Sequence, residues 1–170
     1  MAFGLHGGIV GAVLVLHSLC CLFMTGLIWL IQLVHYPLFA EVGPANYKVY
    51  QQQHMRRITW IVLPVMLVEL ATGALLTYNA YTGELNLSLT TGVLSVVPEG
   101  ESFFLLNFVG IVLIWLSTVL LQVPAHKSLL AGFDLAAQRR LVYTNWFRTI
   151  LWTIRSAALF CVLDALVCRI

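Results

Sequence analysis

The sequence predicts an all-α fold: one domain, residues 1–170, built as a bundle of four transmembrane helices. Three observations predict it. The composition is 61% apolar and only 9% charged, where a soluble domain carries about 25% charged residues. Four apolar stretches each approach or exceed the roughly 20 residues needed to cross a bilayer core. The basic residues gather in the first and third connections. A mean hydropathy of +0.93 and a formal charge of +2 exclude a soluble domain, a disordered chain and a nucleic-acid binder. The expected partner is the lipid bilayer.

The spans follow in order. No Asp, Glu, Lys or Arg precedes Glu41, and Ile9 to Phe39 reads as the first helix. It lacks a basic n-region and is too long for an h-region, so it reads as a span and not as a cleaved signal. Ile58 to about Ala80 is the second, apolar except for Glu69. Glu101 to Lys127 encloses the third. Trp146 to Cys168 is the fourth, interrupted by Arg148, Arg155 and Asp164. Helices are the only solution for these stretches, because a helix satisfies its own backbone in lipid.

The connections set the orientation. The first holds Gly43-Pro44, then a polar stretch, Ala45 to Arg57, expected as a short interfacial helix. The third holds Gly132-Phe133-Asp134, with Asp134 as N-cap of the helix leading into the fourth span. The middle connection, Tyr81 to Ser102, is acidic and reads as irregular, with a short hairpin over Leu85 to Val97. Lys48, Arg56, Arg57, Lys127, Arg139, Arg140 and Arg148 lie on one side, and Arg169 alone on the other. The basic side is therefore expected to be cytoplasmic, both termini out. The expected location is a bacterial cytoplasmic (inner) membrane.

Leu27-Ile28-Trp29-Leu30 recurs as Leu113-Ile114-Trp115-Leu116, and Trp60 recurs as Trp146 at the same offset. Two parallel two-helix repeats are one reading; chance among common residues is the other. The cysteines, Cys20, Cys21, Cys161 and Cys168, form no C-x-x-C pair and read as small apolar filler.

Ionisable residues inside a span are costly and mark candidate sites. Glu69 and Arg155 fall at matched depth near the bilayer middle and are expected to form an ion pair, with Ser117, Thr118 or Thr25 nearby. The pair reads either as a proton or anion site or as a structural lock on helix register. A second layer, His17, Asn107 and Asp164, lies at another common depth, with Asp164 expected to orient the His17 imidazole.

The richest level is the rim at the basic side. His35 and Tyr36 end the first helix, and His54 and Arg57 enter the second. His126 ends the third, and Asn145 and Arg148 start the fourth. Three imidazoles beside two guanidinium groups suit a small anionic, quinone-like or haem-like ligand. Interfacial anchoring is the competing reading. No H-x-x-x-H or H-E-x-x-H spacing occurs, and no metal site is expected.

The string Gln32-Leu33-Val34-His35-Tyr36-Pro37-Leu38-Phe39, with Tyr50, His54 and Arg57, then Gln122-Val123-Pro124-Ala125-His126, Gly132-Phe133-Asp134, Thr144-Asn145-Trp146-Phe147-Arg148-Thr149 and Trp152-Thr153-x-Arg155, resembles an uncharacterised family of small four-helix bacterial membrane proteins. That resemblance implies a fold and a location and no activity. A looser similarity, to haem-binding four-helix proteins such as the bacterial protoporphyrinogen-oxidase-like family, rests on a histidine in the first helix and an aromatic rim ending in His and Tyr. It carries over no ligand. Three functions compete: a binding or redox protein using the rim, a non-catalytic accessory subunit of a larger membrane complex, and a small proton-coupled transporter working as a homodimer through Glu69.

Overall fold

The computed structural model describes residues 3–83, 85 and 100–167, with side chains at 8–83, 85 and 100–164. The hairpin expected over Leu85 to Val97 lies, apart from Leu85, outside the described residues. Four helical segments are long and apolar enough to cross a membrane: Gly8–Glu41, Pro44–Tyr81, Gly100–Leu129 and Leu135–Asp164. This is the layout of a multi-pass membrane protein.

The first span is α1 (Phe3–Leu30), a π turn (Ile31–His35), the short α2 (Tyr36–Leu38) and a 3-10 turn (Phe39–Glu41). The second is α3 (Pro44–Tyr81). The third is α4 (Gly100–Ser117), a second π turn (Thr118–Gln122) and α5 (Val123–Leu129). The fourth is α6 (Leu135–Val167).

Both π turns have the same cause. Pro37 and Pro124 lack the N–H that would continue the ladder, and their rings crowd the preceding turn. Widening that turn relieves the clash: the N–H of Tyr36 reaches back to the carbonyl of Ile31, and that of Val123 to Thr118. The likeness of the first and third spans stops at the backbone. The Trp29 indole donates to Thr153 at 3.0 Å, whereas Trp115 Nε1 is buried without a partner.

The expected interfacial helix at Ala45 to Arg57 is not a separate element. It is the first third of α3, which continues through it. Pro44 sits at a position where it starts a helix, and no breaker follows before Pro64. At 38 residues α3 is about 57 Å long, nearly twice the hydrocarbon thickness. It ends where Gly83 takes φ +75°, with Thr82 and Gly83 donating to the last carbonyls. Asp134 caps α6, its Oδ1 accepting from the Ala136 N–H at 2.8 Å.

α1 packs on α3 and α6, and α4 packs on the same two, closing a ring of four. Two cores fill it. A central one joins Met24, Ile28, Met66, Leu76, Ile114 and Trp152. A second, at the end with the basic connections, joins Tyr36, Phe39, Tyr47, Leu129 and Leu141. The outer faces expose Leu19, Phe23, Leu67, Leu106 and Phe160. Such a continuous apolar exterior suits lipid and not water. Reporter fusions at Gly43 and Asp134 should report one side of the membrane and a fusion at Gly83 the other; agreement of all three would contradict four crossings.

Candidate functional site

Polar side chains inside the bundle form one connected mid-membrane network. Arg155 Nη1 donates to Glu69 Oε1 at 2.6 Å, with side chains 5% and 2% exposed. This is the one salt bridge among the described residues. The Trp152 indole N–H lies 3.2 Å from both carboxylate oxygens of Glu69. Arg155 Nη2 donates to Asn107 Oδ1 at 3.0 Å. His17 Nε2 is 3.2 Å from the same oxygen, and His17 Nδ1 is 2.9 Å from Thr72 Oγ1. A neutral His17 protonated on Nε2 donates to Asn107 and turns the Nδ1 lone pair to the Thr72 hydroxyl, whose one proton it shares with the Val68 carbonyl at 2.7 Å. Every span contributes: His17 from the first, Glu69 and Thr72 from the second, Asn107 from the third, Trp152 and Arg155 from the fourth.

Two glycines make the room. A Cβ on Gly110 would stand 2.8 Å from Arg155 Cδ. A Cβ on Gly73 would collide with Ile111 and approach His17 Cε1 at 3.2 Å. Small residues at such crossings let helices close on one another in lipid.

One expectation is corrected by this network. Asp164 is exposed and takes no part in the His17 network. The reason is angular: nine residues at 100° each put Asp164 on the face of α6 opposite Arg155. Thr25, expected near the ion pair, bonds Ser156 at 2.6 Å and the Trp152 carbonyl at 3.1 Å, beside the pair and not to it. Cys21 also approaches Ser156, at 3.3 Å, and sits in the central core.

The rim residues separate into two groups. The inner group is buried. His126 lies 3.2 Å from the Tyr36 hydroxyl and 3.0 Å from Gln51 Nε2, so both its ring nitrogens are engaged. Asn145 Nδ2 donates to Gln32 Oε1 at 2.7 Å, and Arg148 Nη1 donates to Asn145 Oδ1 at 3.2 Å. The Arg148 guanidinium carbon lies 5.2 Å from the centre of the Trp152 ring, a cation–π contact.

The outer group faces a groove of about 420 Å³ between the first and second spans. His35 Nε2 and His54 Nδ1 are 2.8 Å apart, so one imidazole donates to the other. Tyr50, Gln53 and Arg57 complete the polar end of the groove. Leu27, Leu30, Ile31, Val34, Ile58 and Ile61 form its apolar length. The two groups touch where the His54 and His126 rings come within 5.7 Å. Arg57 and Arg148, expected to share a site, do not: Arg57 is exposed on the groove and Arg148 is buried among the helices. Among the described residues no three His, Cys, Asp or Glu side chains are grouped to hold a metal ion.

Sequence reasoning missed Trp152, Thr72, Gln51, Tyr50 and Gln53 as members of these clusters. The spacing 47, 50, 51, 54 is one helix face and was a usable signal for two of the five, Tyr50 and Gln51. Trp152 and Thr72 carry no such signal, because indole and threonine are ordinary within a span.

Compared with known proteins, the chain matches no family model, no curated protein and no solved structure. The fold and side chains define a four-helix membrane protein with a histidine-bearing groove at one end.

Replacing Trp152 by Phe keeps the ring and removes the N–H that serves Glu69. The expected cost is about 1.5–3 kcal/mol, the range for a hydrogen bond to a charged group, read from unfolding in mixed detergent. A cost within about 0.5 kcal/mol, typical of a substitution away from any such feature, would mean that Glu69 does not depend on the indole.

Proposed function

We propose that this protein sits in a bacterial cytoplasmic membrane, basic end inward, and binds a quinone-like ligand in the groove between its first two spans. The observation that carries this reading is the groove's two-part lining: imidazole, phenol and guanidinium at one end, and six Leu, Ile and Val side chains along the rest. A polar ring on a hydrocarbon tail matches that lining. The volume falls in the range of about 300–1,000 Å³ usual for small-molecule sites. Imidazole N–H and phenol O–H are suited to the ring oxygens of such a ligand.

The imidazoles favour a quinone over an ordinary phospholipid. His35 and His54 are hydrogen-bonded, and His54 lies against His126, which bonds Tyr36. That order leads from the groove into the bundle through groups that both donate and accept protons, which a phospholipid does not require. The engagement of both His126 nitrogens favours hydrogen bonding over metal ligation at that residue.

The test uses purified protein in nanodiscs of one defined phospholipid, titrated with a short-tailed benzoquinone or naphthoquinone. Saturable binding is expected, and His54→Leu should weaken it about tenfold, the equivalent of one lost hydrogen bond. Absence of saturation, or equal affinity in the variant, would overturn the reading and favour the accessory-subunit alternative.

A further inference from the structure

We infer that the bundle holds a second site, for a small monovalent anion, between Arg148 of α6 and Ser117 of α4. It is separate from the groove, whose lining does not include Arg148.

The first observation is a charge left over. Arg148 and Arg155 are both buried, at 6% and 4% exposure. Arg155 is matched by Glu69. Among the described residues Arg148 has only the Asn145 carboxamide oxygen and the face of Trp152. A guanidinium stays protonated in proteins, so it cannot escape burial by losing its charge. An unpaired buried cation is among the costliest arrangements a fold can hold, and more so in lipid. An anion beside it removes that cost.

The second observation is a pair of unused donors at one level. Arg148 Nε and Ser117 Oγ are buried without a hydrogen-bond partner; Gln122 Oε1, an acceptor likewise unpartnered, lies one turn nearer the basic end and takes no part. The register of α4 against α6 brings the first two to face each other. Gly110 lies against Arg155. Seven residues on, along antiparallel helices, stand Ser117 and Arg148, two turns away from that contact on each helix. The Gln122 to Thr144 bond, 2.9 Å, fixes the same register one turn further toward the basic end. Ser117 Oγ is able to accept from Arg148 Nε, yet neither reaches the other. A group that accepts from both fits between them, and the charge of Arg148 favours an anion over water.

The third observation concerns shape. Ser117 is the last residue before the π turn Thr118–Gln122, and such widened turns recur at functional sites. Asn145 and Trp152, both fully buried, close the surroundings, which favours an ion as small as a halide or formate. Lys127, Arg139 and Arg140 lie at the end nearest Arg148 and raise the local concentration of anions there.

The experiment uses the full chain purified in detergent, with thermal unfolding followed as sodium bromide replaces sodium gluconate at constant ionic strength. A saturable rise in unfolding temperature is expected, because a ligand that binds only the folded state stabilises it. Formate is tested in the same way; a saturable rise with either ion supports the site. Arg148→Gln should abolish the dependence. Ser117→Ala should raise the half-saturating concentration about tenfold, as for one hydrogen bond to a charged group, and it carries the test if the arginine variant does not fold. The same unfolding temperature in bromide, formate and gluconate would overturn the proposal. So would an anion dependence unchanged in Ser117→Ala and Arg148→Gln.

Discussion

A carboxylate and a guanidinium, 2.6 Å apart and sealed from solvent, hold the centre of this bundle together. Neither is tolerable alone at that depth, since removing one partner of a buried pair strands the other. Each then needs further partners for its remaining donors and lone pairs, and those partners come from every span. Trp152 and Arg155 fix Glu69 from α6; Asn107 ties Arg155 to α4; His17 ties Asn107 to α1 and, through Thr72, back to α3. Lipid supplies little hydrophobic force between apolar helices, so such links and close packing must choose the helix neighbours. Gly110 belongs to the same device, because a methyl group there would push into the Arg155 side chain.

Toward the basic end, charge gives way to carboxamides and rings. Gln32, Gln51, Gln122, Gln138 and Asn145 each bridge one span to another or to a rim group. These neutral links allow the end to be polar without gathering charges that lipid would penalise. The two π turns lie just before this level in the first and third spans. They let Pro37 and Pro124 stay in helices that run on to the rim, and so place His35 and His126 where they meet His54 and Tyr36. Arg148 departs from the pattern: among the described residues it is the one buried cation without a carboxylate.

The four spans were legible in the sequence because apolar length is a direct consequence of bilayer thickness. The ion pair was legible because two lone charges at matched depth have one economical solution. The Asp134 cap was legible from residue type alone. What was not legible is azimuth. Depth placed Asp164 beside His17, but nine residues turn it to the far face of α6. Depth also joined Arg57 to Arg148, although the bundle wall stands between them. The continuity of α3 was hidden by its polar first third, which differs in composition from the span without any residue that breaks a helix. Trp152 was hidden because an indole reads as apolar until its N–H is seen to face a carboxylate.

The most direct test of this account is a double-mutant cycle on Glu69→Gln and Arg155→Met, with stability measured by reversible unfolding in mixed detergent. If the pair organises the bundle, each single change costs about 3–5 kcal/mol, as for a broken buried pair. The double change then costs less than the sum by about 1–3 kcal/mol, the coupling expected of residues in one network. Additivity within about 0.5 kcal/mol, the behaviour of independent sites, would contradict it.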